Sequence, residues 1–162
     1  MTLDPTLIPN FYKNKTLFVT GATGFLGKVL LEKLLRSLPN IKQIYVLVRT
    51  KPGITIQERL NNEVFKSKIF DRMINDNFDK NMDNFLRYVH SKVTPIAGDM
   101  LGHRNNLDIV PSDIDQIVKN GGIDIIFHSA ATVDFTERID IAIDINVLGP
   151  LRLLTMAKNI FN

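Results

Sequence analysis

The stretch Thr20-Gly21-Ala22-Thr23-Gly24-Phe25-Leu26-Gly27 decides how this chain folds. Before it runs the apolar Leu17-Phe18-Val19, and after it Val29-Leu30-Leu31, Leu34-Leu35 and Leu38 recur at a spacing that keeps one helix face apolar. The order predicts a strand, a glycine turn and a helix. Glycines in such a turn let the backbone approach a pyrophosphate, while the helix dipole and the first free N–H groups favour its negative charge. The residues therefore point to a dinucleotide. The spacing is G-x-x-G-x-x-G, not G-x-G-x-x-G, and glycines alone would also fit a tight turn with no ligand. The flanking strand and helix supply the context that a dinucleotide turn requires.

A second strand is expected at Gln43-Ile44-Tyr45-Val46-Leu47-Val48, nearly all apolar as in a parallel sheet covered on both faces. Roughly 20 residues beyond the glycines an acid would bind the ribose 2′-hydroxyl of NAD(H). Here Arg49 stands at that place, with Lys51 close by. A cation suits a 2′-phosphate, so the residues favour NADP(H); a solvated surface pair is the alternative.

Further along, Pro52-Gly53 opens a loop, and Leu60, Val64, Phe65, Ile69 and Met73 give helical spacing to Ile56–Ile74, an insertion into a simple strand-helix alternation. The Asn- and Asp-rich run from Asn75 to Asn84 reads as a polar loop or a fraying helix end. A third strand is expected at Lys92-Val93-Thr94-Pro95-Ile96-Ala97, with its proline confining it to a sheet edge. In the following Gly98-Asp99-Met100, Asp99 suits either the adenine end of a cofactor or a turn cap. A fourth strand, Ile123-Asp124-Ile125-Ile126-Phe127-His128, runs into the small residues Ser129-Ala130-Ala131-Thr132, which would face the same crevice as the glycine turn. His128 reads as a packed or hydrogen-bonded histidine more readily than as a catalytic base. The sum is an α/β fold: an incomplete Rossmann-like doubly wound parallel sheet of about four strands with flanking helices.

The chain has 162 residues, 44% of them hydrophobic, enough for a single domain over residues 1–162. A net charge of +3, with cations scattered and not striped among aromatics, argues against nucleic acid. There is no cysteine, and His90, His103 and His128 show no paired spacing, so no metal site is expected. Met1–Lys15 lacks the cationic start and apolar run of a signal peptide. The greasy segment Ile139–Phe161 is broken by Asp140, Asp144, Arg152 and Lys158, so it predicts an amphipathic helical region and no transmembrane segment, with a kink or boundary at Gly149-Pro150.

Taken together, Pro9-Asn10-Phe11-Tyr12, the glycine turn, Val46-Leu47-Val48-Arg49, Gly98-Asp99, His128-Ser129-Ala130-Ala131-Thr132-Val133 and Asn146-Val147 resemble the amino-terminal part of fatty acyl-CoA reductases, extended short-chain dehydrogenase/reductase proteins. The resemblance covers nearly the whole chain. It implies NADPH-dependent reduction of a long-chain fatty acyl-CoA to a fatty alcohol. It assigns the pyrophosphate turn to Gly21, Thr23, Gly24, Phe25, Leu26 and Gly27, and the 2′-phosphate contact to Arg49. The adenine side falls to Asp99 and Met100, the ribose and nicotinamide lining to Ala130, Ala131 and Thr132, and a place near the active site to Asn146. Asp134 stands where that family often has a base, and Pro150 where it usually has threonine. Peroxisome or endoplasmic reticulum association is implied as well.

The family's serine and Tyr-x-x-x-Lys pair would lie beyond Asn162, so no catalytic residue is expected here and the chain alone is expected to be inactive. Tyr88-Val89-His90-Ser91-Lys92 matches the spacing but precedes the third strand and reads as a decoy. The fourth strand reads as an interior one with no later partner, which favours a fragment of a longer reductase and self-association through the open edge. Two alternatives stay open: a nucleotide-sugar epimerase or dehydratase of the same broad fold, and a non-enzymatic NADP(H)-binding module.

Overall fold

The computed structural model describes residue 4, residues 6–102 and residues 106–161; His103 lies outside them. Four strands, β1 (Thr16–Thr20), β2 (Gln43–Val48), β3 (Val93–Ala97) and β4 (Ile125–His128), form one parallel sheet in the order β3-β2-β1-β4. The glycine turn leaves β1, a central strand, and the sheet reverses its strand order there. That reversal is where a crevice opens beyond the strands' carboxyl ends.

Alternation along the strands divides the core in two. Leu17, Val19, Ile44, Val46 and Val48 face α2 (Phe25–Ser37) and the inserted segment. Phe18, Tyr45, Leu47 and Ile96 face the other way, toward α6 (Pro111–Lys119) and α8 (Gly149–Ile160). β1 is buried at every position, so both of its faces exclude water. Each large apolar side chain buried this way stabilises the fold by about 1.5–3 kcal/mol.

Residues 50–92 hold more helix than the sequence predicts. Helix α3 (Ile56–Leu60) opens with a capping box in which Thr55 and Glu58 satisfy each other's backbone N–H groups. It passes into a wide π turn, Asn61–Phe65, a 3₁₀ turn, Lys68–Phe70, then α4 (Asp71–Phe78) and α5 (Met82–Lys92). The expected polar loop from Asn75 to Asn84 shrinks to a short turn at residues 79–81. Left-handed backbone at Asp79 and Lys80 reverses the chain there, and Asn81 caps α5 through the Asn84 N–H. Phe65, Phe70, Phe78 and Phe85 interlock with ring centroids 5.6–6.1 Å apart and hold these helices on the sheet.

Pro95 lies in β3 at the sheet edge, as a missing N–H requires. The fourth strand starts later than expected, at Ile125. Asp124 is drawn off to the start of β1, its carboxylate accepting from the Thr16 N–H at 2.7 Å and Lys15 Nζ at 2.8 Å. Ile123 instead donates its N–H to the Ile160 carbonyl, tying the end of α8 to the sheet. Among the described residues β4 pairs only with β1 and is half-buried, while just before it Ile123 forms a parallel bridge with Phe161. Helix α1 (Leu7–Tyr12) lies near the amino end, and α7 (Ile139–Ile143) leads through a second π turn, Asp144–Leu148, into α8. Pro150 directly follows that π turn, with helical backbone at Leu148 and Gly149, so the helix passes the expected boundary through a π turn and not through a break.

Candidate functional site

The carboxyl ends of all four strands open onto one cleft of about 530 Å³. Gly21, Thr23 and Gly24 form its floor after β1, Arg49 flanks it after β2, Gly98–Leu101 after β3, and Ser129–Asp134 after β4.

The turn is shaped by contact with β4. Gly21 has φ +74°, and a Cβ there would lie 2.6 Å from the Ala130 nitrogen, so only glycine fits. Thr20, fully buried, joins the same strands: its Oγ1 is 2.7 Å from His128 Nδ1 and accepts from the Ala130 N–H at 3.3 Å, while Ser129 Oγ donates to its carbonyl at 2.8 Å. Gly24 caps α2 with no side-chain hydrogen bond, leaving the first-turn N–H groups without an intrahelical acceptor beside the cleft.

On the β2–β3 side the cleft turns cationic. Arg49 Nε stands 4.0 Å from Asp99 Oδ2, and Asp99 Oδ1 accepts from the Leu101 N–H at 3.1 Å. Asp99 thus caps a turn and also lines the cleft. Met100 is fixed from behind, its carbonyl accepting from Arg152 Nη1 at 3.1 Å. Arg59, a residue the sequence did not single out, also lines the cleft although only 6% exposed. Its Nη1 donates to the Arg49 carbonyl and its Nε to Glu63 Oε1 at 3.1 Å. No local sequence signal marked Arg59. Ser129, expected at the crevice, lines the cleft, and so do Leu47 and Gly98, which belong to quoted segments but were given no site role of their own.

Of the residues expected at the site, Gly21, Thr23, Gly24, Arg49, Asp99, Met100, Ala130, Ala131 and Thr132 meet at this cleft. The others are placed differently. Phe25 and Leu26 are 79% and 67% exposed on the first turn of α2 and do not line it. Gly27 serves packing, since a Cβ on it would lie 2.2 Å from the Gly21 carbonyl oxygen. Lys51 is turned away to Glu63 Oε1 at 2.7 Å. Asn146, one shell back, accepts from the Thr132 N–H and donates to the Thr132 carbonyl, each at 2.9 Å, fixing that end of the lining. Asp134 accepts from the Thr136 hydroxyl and N–H, which hold its carboxyl below the usual range.

Burial holds the His128 imidazole below its ordinary pKa. The residues Tyr88 and Lys92 stand apart from the cleft: the tyrosine hydroxyl donates to the Leu35 carbonyl and the lysine to the Ile41 carbonyl. Among the described residues no three His, Asp or Glu side chains gather as a metal site, and no helix is long and apolar enough to cross a membrane.

A profile of an NAD-binding family described as male sterility protein matches residues 19–162. The chain belongs to the male sterility protein family. It is 40% identical over 155 residues to fatty acyl-CoA reductase 1 of Mus musculus, an alignment covering 96% of this chain. The chain spans 27% of the length of that curated relative. Among solved structures, the terminal R domain from the myxalamid PKS-NRPS biosynthetic pathway superposes with a TM-score of 0.62 at 29% identity, covering 92% of this chain and 33% of that one. An NADPH-bound carbonyl reductase from chicken fatty liver superposes with a TM-score of 0.55, covering 91% of this chain and 48% of that one; at 14% identity this likeness concerns the fold alone. As a male sterility family member, the chain carries an NADP(H)-binding part like that at the amino end of fatty acyl-CoA reductases. The cleft fits such a group: small or absent side chains at Gly21, Gly24 and Ala130, uncapped N–H groups on α2, and two arginines to one side.

Proposed function

We propose that this chain is the cofactor-binding part of an NADPH-dependent reductase that converts a long-chain fatty acyl-CoA to a fatty alcohol. The observation that carries this is the cleft's polarity. Cationic Arg49 and Arg59 stand on the β2–β3 side, the glycine turn in the middle, and small Ser129–Ala131 on the β4 side. That sequence suits a 2′-phosphate, a pyrophosphate and a nicotinamide ribose in turn.

In this reading the turn at Gly21, Thr23 and Gly24 holds the pyrophosphate, and Phe25, Leu26 and Gly27 present backbone N–H groups to it. Arg49 grips the 2′-phosphate. Asp99 and Met100 border the adenine, while Ala130, Ala131 and Thr132 leave room for the ribose and nicotinamide, with Asn146 keeping Thr132 in place. Two NADPH molecules, bound in turn, would each supply one hydride, the first to the thioester with release of CoA and the second to the resulting aldehyde. The carbonyl oxygen would take its proton from the tyrosine of the family's Tyr-x-x-x-Lys pair, the lysine lowering that tyrosine's pKa; Tyr88 and Lys92 do not line the cleft. The same resemblance assigns the whole protein to peroxisomal or endoplasmic reticulum membranes, which imaging of the tagged protein would check.

Titrating the chain with NADPH and NADH tests the first step. Binding of NADPH at least about tenfold tighter supports it, and equal affinities overturn the 2′-phosphate assignment. The second step is tested on the whole protein with NADPH and a long-chain acyl-CoA. Fatty alcohol is expected; turnover of a nucleotide sugar instead would replace the reading.

A further inference from the structure

The inserted segment between β2 and β3 carries a carboxylate, Glu63, that touches two cations beside the cleft without lining the cleft itself. Glu63 sits in the π turn Asn61–Phe65, just before Val64 and Phe65, which are fully buried. Phe65 packs edge-on against Phe70 and Phe85, with centroids 5.6 and 6.1 Å away, so the aromatic cluster sets where this turn stands. One oxygen, Glu63 Oε1, accepts from Arg59 Nε at 3.1 Å and from Lys51 Nζ at 2.7 Å.

This geometry matters because of what it leaves free on Arg59. A guanidinium carries five N–H donors in a fixed plane. Its Nε is bound to Glu63 and one Nη1 hydrogen to the Arg49 carbonyl, which fixes the plane and couples it to the residue after β2. Among the described residues the other three donors have no partner, and the side chain lines the cleft. Glu63 also offsets part of the repulsion among Arg49, Lys51 and Arg59. The two cationic hydrogen bonds, Arg59 first and then Lys51, hold its carboxyl down to about 2, so it is ionised at any working pH.

We infer that Glu63 is a positioning residue for cofactor choice: through Arg59, and by drawing Lys51 aside, it builds the side of the cleft that separates NADPH from NADH. This rests on the cleft being an NADPH site, and it gives the inserted segment a function in recognition. A second cation could have been supplied by Lys51 directly. The structure instead withdraws that flexible ammonium and offers a pre-oriented planar group, which loses less freedom on meeting a phosphate.

The experiment is a binding titration of wild type, Glu63→Gln, Arg59→Lys and the double variant with NADPH and NADH, beside a thermal melt of each. Glu63→Gln is expected to weaken NADPH binding by about tenfold while NADH binding changes by less than about twofold. The double variant is expected to lose no more than the worse single one, because both act through one guanidinium. A purely structural role would lower the melting temperature and leave the NADPH-to-NADH ratio unmoved, and that result overturns the inference; so do additive losses in the double variant. Should Glu63→Gln fail to fold, the ratio measured for Arg59→Lys decides alone, an unchanged ratio counting against. A wild type without preference for NADPH overturns the underlying site reading itself, and is thereby distinguishable from failure of the Glu63 link.

Discussion

Thr20 Oγ1 lies 2.7 Å from Nδ1 of His128, the residue paired with it across β1 and β4. The same oxygen accepts the Ala130 N–H, so one hydroxyl joins β1 to β4 and to the segment that follows it. Thr20→Val keeps the shape and removes both bonds in a fully buried place. It is expected to cost about 1–3 kcal/mol of stability, measured by denaturant melts, and to weaken NADPH binding by loosening Ser129–Ala131 against the turn.

Protonation of His128 is opposed by burial, which pushes the imidazole below its ordinary 6.5. The folded state therefore takes up this proton less readily than the unfolded one. Its contribution to stability is complete above pH 6.5 and is lost as pH falls through the lower folded value. An imidazole NMR titration should give a midpoint below 6.5; a midpoint above it would contradict this account.

Gly27→Ala should be among the most damaging substitutions of a small side chain. The added Cβ would sit 2.2 Å from a backbone oxygen, Gly21 O, which cannot move without reshaping the turn. A loss of about 1–3 kcal/mol is expected, with NADPH binding lost more steeply than stability. Gly53 makes a useful contrast: it has φ +76° but open space around it, so alanine there meets no clash and should cost only about 1 kcal/mol.

Arg49→Ala separates the two cofactors. The side chain is largely exposed and makes only the long 4.0 Å approach to Asp99, so its removal should hardly alter the melting temperature. NADPH affinity is expected to fall about tenfold with NADH affinity nearly constant. An equal fall for both would mean that Arg49 supports the cleft without meeting a 2′-phosphate.

Much of this fold was legible because its signals are local. The apolar run before Gly21, the helical spacing after it and the apolar second strand each declare themselves within a few residues, and Pro95 marked an edge. Other parts depended on distant contacts. Asp124 looks like part of a strand until Lys15 and Thr16, over a hundred residues away in sequence, claim its carboxylate. Asn75–Asn84 has loop composition, yet Met73, Ile74 and Phe85 bury enough surface to make helices of both flanks. At the site, position along the chain marked both Arg49, which lines the cleft, and Lys51, which does not, because Lys51's partner, Glu63, comes from another element. Arg59 was missed for the converse reason: nothing around it in sequence says that the face of α3 carrying it turns toward Arg49.

The pairing of Thr20 with His128, 108 residues apart in sequence, also bears on how the polypeptide is made. While the ribosome emits at about 5–20 residues per second, one side of the central strand waits roughly 5–20 s for its neighbour to be synthesised. β2 and β3 can complete the other side in that interval. The exposed flank, Leu17–Thr20, is apolar and flat, so the nascent chain offers a docking edge to any passing strand. A holding chaperone acting during that window should raise the yield of native protein more than one supplied after release.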